Sequence, residues 1–94
     1  MSQTLDSFKT YYEFNKHNGN DPIIFIHGIG LNCGIWEEQI SYFKNHNTII
    51  YDLIGHGKTP LNKTQITMQD FVKQLLKLAD GLNINKFHLV GFSI

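Results

Sequence analysis

The tetrapeptide Ile23-Ile24-Phe25-Ile26 is apolar at every position and alternates nowhere. A strand with one wet face alternates apolar and polar residues. A strand covered on both faces does not, and that cover is characteristic of parallel sheets. Thr48-Ile49-Ile50-Tyr51 and Phe87-His88-Leu89-Val90 read as two further buried strands. The segments between them have helical spacing. Trp36, Ile40 and Phe43 predict a short helix over 35–44. Thr67 with Asp70 three positions on makes a capping box, and Phe71, Leu75, Leu78 and Leu82 form an apolar stripe, which predicts a helix over 67–82. Gly81 is near the place where a glycine ends such a helix. Ahead of all these, Phe8 to Phe14 reads as an edge strand or half of a hairpin, followed by a turn over His17 to Pro22.

The order is a hairpin and then β-α-β-α-β. This predicts an α/β fold with a mostly parallel sheet and helices on its faces. Ligands of such sheets bind beyond the carboxyl ends of the strands. The loops His27–Gly34, Asp52–Pro60 and Gly91–Ile94 point there. The chain has 94 residues, 41% hydrophobic and 17% charged, which suits one small globular domain and excludes a disordered tail or a fibre. Its 8 basic residues, all Lys, balance 8 acidic ones. No basic stripe with interleaved aromatics is present, so no nucleic-acid partner is expected. Cys33 is the sole cysteine, which excludes a disulfide framework and makes a cytoplasmic location the expectation. No leader and no membrane association are expected either. The N-terminal residues lack a basic and an apolar region, and no apolar run approaches the roughly 20 residues that cross a bilayer.

Gly91-Phe92-Ser93-Ile94 fills the first four positions of Gly-x-Ser-x-Gly, the strand-to-helix turn that holds a nucleophilic serine exposed. Alone, a Gly-x-Ser at a strand end is equally an ordinary surface turn. The loop after Ile26 adds weight. His27-Gly28-Ile29-Gly30 can turn a backbone N–H toward a neighbouring strand tip. Acyl transfer needs such donors for its oxyanion. The N–H groups of Ile29 and Ile94 are the candidates.

Three motifs together resemble the α/β-hydrolase superfamily: Phe25-Ile26-His27-Gly28-Ile29-Gly30, Tyr51-Asp52-Leu53-Ile54-Gly55-His56-Gly57-Lys58-Thr59, and His88-Leu89-Val90-Gly91-Phe92-Ser93-Ile94. The likeness spans residues 8–94 and is greatest to the esterase, enol-lactonase and haloperoxidase-like branch, where an aromatic usually stands at the place of Trp36. The resemblance implies that Ser93 is the nucleophile, that Ile29 and Ile94 are the backbone oxyanion donors, and that Gly91 is the first glycine of the elbow. It gives His27 and Gly28 supporting places beside the oxyanion loop and makes the Asp52–Thr59 loop structural. Thr59 stands where a serine is more usual. No cofactor is implied, and the substrate would be a small acyl compound.

In that family the triad runs Ser, then Asp or Glu, then His along the chain. The acid and the histidine are therefore expected after residue 93, and the chain reads as the amino-terminal part of a single domain, cut at the elbow and inactive alone. Its exposed sheet would be covered by the remainder of its own chain or by another copy.

Other readings compete. His17 and His46 read as solvated surface, His88 as half-buried on its strand, and His27 and His56 as structural. A metal site from His27, His56 and His88 lacks supporting cysteines or carboxylates, so no metal is expected. Gly28-Ile29-Gly30-Leu31-Asn32-Cys33-Gly34 approaches a dinucleotide fingerprint but carries its third glycine one position late. Gly57-Lys58-Thr59 matches the tail of a P-loop, yet Asp52 stands where that loop needs glycine and Pro60 follows at once. Cys33 reads as a small buried loop residue more readily than as a reactive thiol. A non-catalytic interaction module on the same scaffold is the second functional class.

Overall fold

The structure is a computed structural model that describes residues 2–3, 8–61 and 64–92. Five strands share one sheet: β1 (Ser2–Gln3), β2 (Tyr12–Asn15), β3 (Ile23–Ile26), β4 (Thr48–Tyr51) and β5 (His88–Gly91). Their order across it is β1-β2-β4-β3-β5. β3 runs parallel to both β4 and β5, whereas β2 is antiparallel to β1 and β4. A 3-10 turn, Cys33–Trp36, leads into α1 (Glu37–Tyr42), and α2 (Met68–Gly81) connects β4 to β5. The α/β class and the hairpin-then-β-α-β-α-β order read from the sequence are the ones observed.

The unbroken apolar run of β3 has a direct cause. Successive side chains of a strand point to opposite faces, and here both faces are covered. Ile24 and Ile26 join Tyr12, Ile49, Tyr51, Leu53 and Leu78 in one buried cluster, against which Phe71, Leu75 and Leu82 pack. Phe25 joins Ile50, Cys33 and Trp36 in a second cluster on the other face. The Phe25 and Trp36 rings meet at 5.0 Å in a tilted pair. The chain thus leaves β3 toward one face and β4 toward the other, and the order β4-β3-β5 puts the point where the winding reverses between β3 and β5.

Several expectations need correction. The third buried strand is not buried: β5 pairs only with β3 among the described residues, and its residues are exposed, with Leu89 at 52%. His88 is exposed as well, not half-buried. The first strand begins at Tyr12 instead of Phe8, and β1 covers its outer side, so it is the second strand in and not an edge. The helix expected over 35–44 divides into the 3-10 turn and α1, because the Asn32 side chain accepts the Gly34 N–H and starts the turn early. The capping box forms as expected: the Asp70 carboxylate accepts the Thr67 N–H, while the Thr67 hydroxyl accepts the Asp70 N–H. The left-handed residue that ends α2 is Asn83, at φ 58°, and not Gly81. Asparagine is the residue next most tolerant of that conformation after glycine. No helix among the described residues is long and apolar enough to cross a membrane.

Candidate active site

The site is assembled from the loops that leave the carboxyl ends of β3, β4 and β5. His27 comes directly after β3 and is fully buried. Its Nδ1 lies 2.8 Å from the Gly28 carbonyl, which can only accept, so Nδ1 carries the proton. Nε2 then accepts the Leu53 N–H at 3.0 Å. Both ring nitrogens are engaged in the neutral form. Burial lowers the His27 pKa; the hydrogen bond to the Gly28 carbonyl opposes it, and the nearby His56 (lowering) and Asp52 (raising) act less than either. Gly28 to Leu31 form a tight turn closed by the Leu31 N–H on the Gly28 carbonyl. Gly30 occupies its third position at φ +88°, the left-handed region that glycine adopts without strain. Ile29, at the tip, is 54% exposed, and no described residue accepts its N–H.

The loop after β4 is organised around Asp52. Its buried carboxylate accepts the Cys33 N–H at 2.7 Å and the Lys58 N–H at 2.9 Å. Gly57, at φ +51°, lies so close to that carboxylate that a β-carbon would collide with it. The Asp52 carbonyl takes the Thr59 hydroxyl and the Gln74 amide, at 2.8 and 3.0 Å. Gln74 reaches in from α2, fully buried, and also accepts the Ile54 N–H and donates to the Thr10 hydroxyl. The Thr59 hydroxyl oxygen accepts the Tyr11 N–H at 3.0 Å, so a threonine meets the needs of this position.

The two loops are cross-linked by imidazoles. His56 repeats the wiring of His27: its Nδ1–H donates to the Ile54 carbonyl at 3.0 Å, and its Nε2 accepts the Gly30 N–H at 2.9 Å. Neither ring keeps a free nitrogen for general-base work. His88 lies level with Ile23 at the amino end of the sheet, so the structure does not bring it to the other two. Among the described residues no group of three or more His, Cys, Asp or Glu side chains could hold a metal ion. The N–H groups of Gly30, Leu31, Cys33 and Gly34 are all taken within the protein, which leaves little in this loop for a pyrophosphate.

β5 brings the third loop to the same end. Gly91 pairs with Ile26, and the Phe92 N–H donates to the Ile26 carbonyl at 3.1 Å. The residue before Ser93 in the chain is therefore tied to the residue before His27. Gly91 has open space where a β-carbon would go, so no described neighbour demands glycine there. Ser93 and Ile94 lie outside the described residues. Sequence reasoning missed Asp52 and Gln74 as organisers. Burial of a polar residue inside an apolar helical stripe was the available signal for Gln74. Asp52, a carboxylate at a strand end followed by two glycines, offered a weaker one. Cys33 is buried, and its thiol is pushed up to about 12, chiefly by burial and then by Asp52.

A family model described as alpha/beta hydrolase fold matches residues 21–94. The (E)-2-((N-methylformamido)methylene)succinate hydrolase of Acinetobacter baylyi is 32% identical over 91 residues, covering 96% of this chain and 34% of that protein. The 3-oxoadipate enol-lactonase 1 of the same organism is 32% identical over 83 residues, covering 87% of this chain and 31% of that protein. Among solved structures, the enol-lactonase from Burkholderia xenovorans superposes with a TM-score of 0.89 at 22% identity, over 99% of this chain and 37% of that one, a likeness of fold alone. The naproxen esterase from Bacillus subtilis gives a TM-score of 0.85 at 25% identity, over 99% of this chain and 34% of that one. The chain spans about a third of the length of the curated relatives it matches.

Proposed function

The chain belongs to the α/β-hydrolase fold family, and from that premise we propose that it supplies the nucleophile and oxyanion loop of a cytoplasmic serine hydrolase acting on an ester, lactone or related acyl substrate. The observation that carries this reading is the convergence at one sheet end of the Ile29 turn and the Gly91-Phe92 strand tip, with Ser93 next in the chain. In the proposed reaction the Ser93 hydroxyl attacks the acyl carbon and gives its proton to a histidine. The tetrahedral oxyanion is held by the Ile29 and Ile94 N–H groups. Collapse expels the alcohol, which takes the proton from that histidinium; water, giving a proton to the same histidine, then attacks the acyl carbon, and Ser93 leaves with that proton as the acid is released. The turn at Ile29 suits the task because its N–H has no partner among the described residues.

The histidine and acid of this scheme are assigned to a further part of the same protein. His27 and His56 are unsuited as bases, since both nitrogens of each ring are occupied. The 94 residues alone are accordingly proposed to be inactive. Apolar residues exposed on α2 (Met68, Val72, Leu76) and on β5 (Leu89, Val90) support a cover supplied by the rest of the chain or by a second copy. A monodisperse, cooperatively melting monomer of these residues would speak against that need. The test of the enzymatic reading is Ser93→Ala in the full-length protein. Loss of p-nitrophenyl ester turnover by at least about 10³-fold, together with loss of fluorophosphonate labelling, is expected. Unchanged turnover would sink it.

A further inference from the structure

The geometry points to His56 as a positioning residue for the oxyanion donor at Ile29, a role that rests on the hydrolase reading above. Ile29 sits between two peptide units. In the first, the Gly28 carbonyl and the Ile29 N–H point in opposite directions because the peptide is planar and trans. The Gly28 carbonyl is held by the His27 Nδ1–H and by the Leu31 N–H, and holding it aims the Ile29 N–H the other way. The second unit joins Ile29 to Gly30. Its N–H donates to His56 Nε2 at 2.9 Å.

That second unit is the soft point of the loop. A turn with a positive φ at its third position converts to the type I form when its central peptide rotates by about half a turn. Glycine at that position tolerates both forms. Gly30 at φ +88° shows which form is present. Rotation would replace the Gly30 N–H by the Ile29 carbonyl, setting one acceptor against another at His56 Nε2. An acceptor nitrogen at this point therefore selects one form of the turn. The His56 ring is itself oriented by its Nδ1–H on the Ile54 carbonyl at 3.0 Å, so Nε2 is free to accept. His27 and the Leu31 N–H aim the donor, and His56 fixes the form of the turn that carries it, and so whether the neighbouring peptide presents an N–H or a carbonyl on each side.

The test compares His56→Gln with His56→Asn in the full-length protein. A glutamine amide oxygen reaches the place of Nε2 and can accept the Gly30 N–H. An asparagine reaches only the place of Nδ1, which leaves Gly30 without an acceptor. On p-nitrophenyl butyrate, kcat is expected to stay within about threefold for Gln and to fall about tenfold for Asn, with KM within about twofold for both, because an oxyanion donor acts on the transition state. Hydrogen exchange at the Gly30 amide should quicken in Asn and not in Gln. Equal losses in both variants, a loss carried by KM, or unchanged Gly30 exchange in Asn would each overturn the role. Fluorophosphonate labelling of the unsubstituted protein separates the failures. If Ser93 labels while the variants lose activity equally, the hydrolase reading stands and the positioning role is wrong. If the protein neither labels nor turns over ester, the hydrolase reading fails and the positioning role falls with it.

Discussion

His27 and His56 stand with ring centroids 5.2 Å apart, and each accepts a backbone N–H from the other's loop. His27, which comes after β3, takes the Leu53 N–H from beyond β4. His56, beyond β4, takes the Gly30 N–H from the loop after β3. The two side chains thus form a reciprocal clasp between the loops that leave neighbouring parallel strands. Each ring satisfies a backbone donor at a strand end, where the sheet no longer does so.

The clasp predicts an acid-sensitive fold. Burial holds the His27 pKa below its ordinary value of 6.5. An unfolded chain takes up that proton near the ordinary value, and the folded chain only at lower pH. Below about 6.5 the unfolded state therefore binds more protons, and stability falls as the pH drops. The urea midpoint of the protein should show this residue's contribution as a decline starting near pH 6.5 and absent between pH 7 and 8. His27→Gln keeps an acceptor for the Leu53 N–H but has no proton to gain, so the decline should be shallower. Equal declines in both proteins would assign the effect to another group.

Asp52 and Gly57 predict a contrast between two glycines. Both Gly30 and Gly57 have positive φ, and alanine in that region costs about 1–2 kcal/mol. At Gly30 the added carbon meets open space, so the backbone cost is the whole effect. At Gly57 it meets the Asp52 carboxylate, which must move and release the Cys33 and Lys58 N–H groups. Each orphaned donor costs about 1–3 kcal/mol. In urea unfolding, Gly57→Ala should lose at least about 3 kcal/mol and Gly30→Ala about 1. Comparable losses would show that Asp52 does not hold the loop.

Gln74 predicts that a more apolar helix is a less stable protein. Gln74→Leu keeps the volume and extends the buried stripe of α2, so burial alone favours it. The change also removes the acceptor of the Ile54 N–H and a donor to the Asp52 carbonyl. A buried N–H left without a partner costs about 1–3 kcal/mol, which outweighs the gain. The expected result is a lower melting temperature for Gln74→Leu. A rise would mean that water reaches Ile54.

These residues mark the boundary of what the sequence made legible. The strands β3 and β4 were readable because two-sided burial leaves an unbroken apolar run, and α2 because Thr67 and Asp70 announce its start. The convergence of three loops came from topology alone. Three things were not readable. β5 carries the same apolar signature as a central strand, yet its residues are exposed among those described; the pattern records what the residues suit, not what covers them. Asp52 looked like an ordinary loop acid, because its partners Cys33 and Lys58 are backbone donors, and any residue type supplies those. Gln74 fell between the apolar positions of a stripe, where periodicity treats a polar residue as noise.

Cys33 reports on the same loop. Its thiol is buried and pushed up to about 12 from an ordinary 9.0, mainly by desolvation and then by the Asp52 carboxylate. Alkylation proceeds through the thiolate. At pH 8 the folded protein should hold about a thousandfold less thiolate at Cys33 than an unfolded chain does, a tenfold factor for each pH unit of displacement. Iodoacetamide should therefore modify Cys33 very slowly in the native protein and rapidly in urea. The Cys33 N–H is held by Asp52, so opening of that bond would expose the thiol, and the native labelling rate measures how often the loop opens. Gly57→Ala, which displaces Asp52, should raise that rate at a urea concentration far below its unfolding midpoint. A rate equal to the unsubstituted protein's would mean that Cys33 is sheltered by the packing of Phe25 and Trp36 alone.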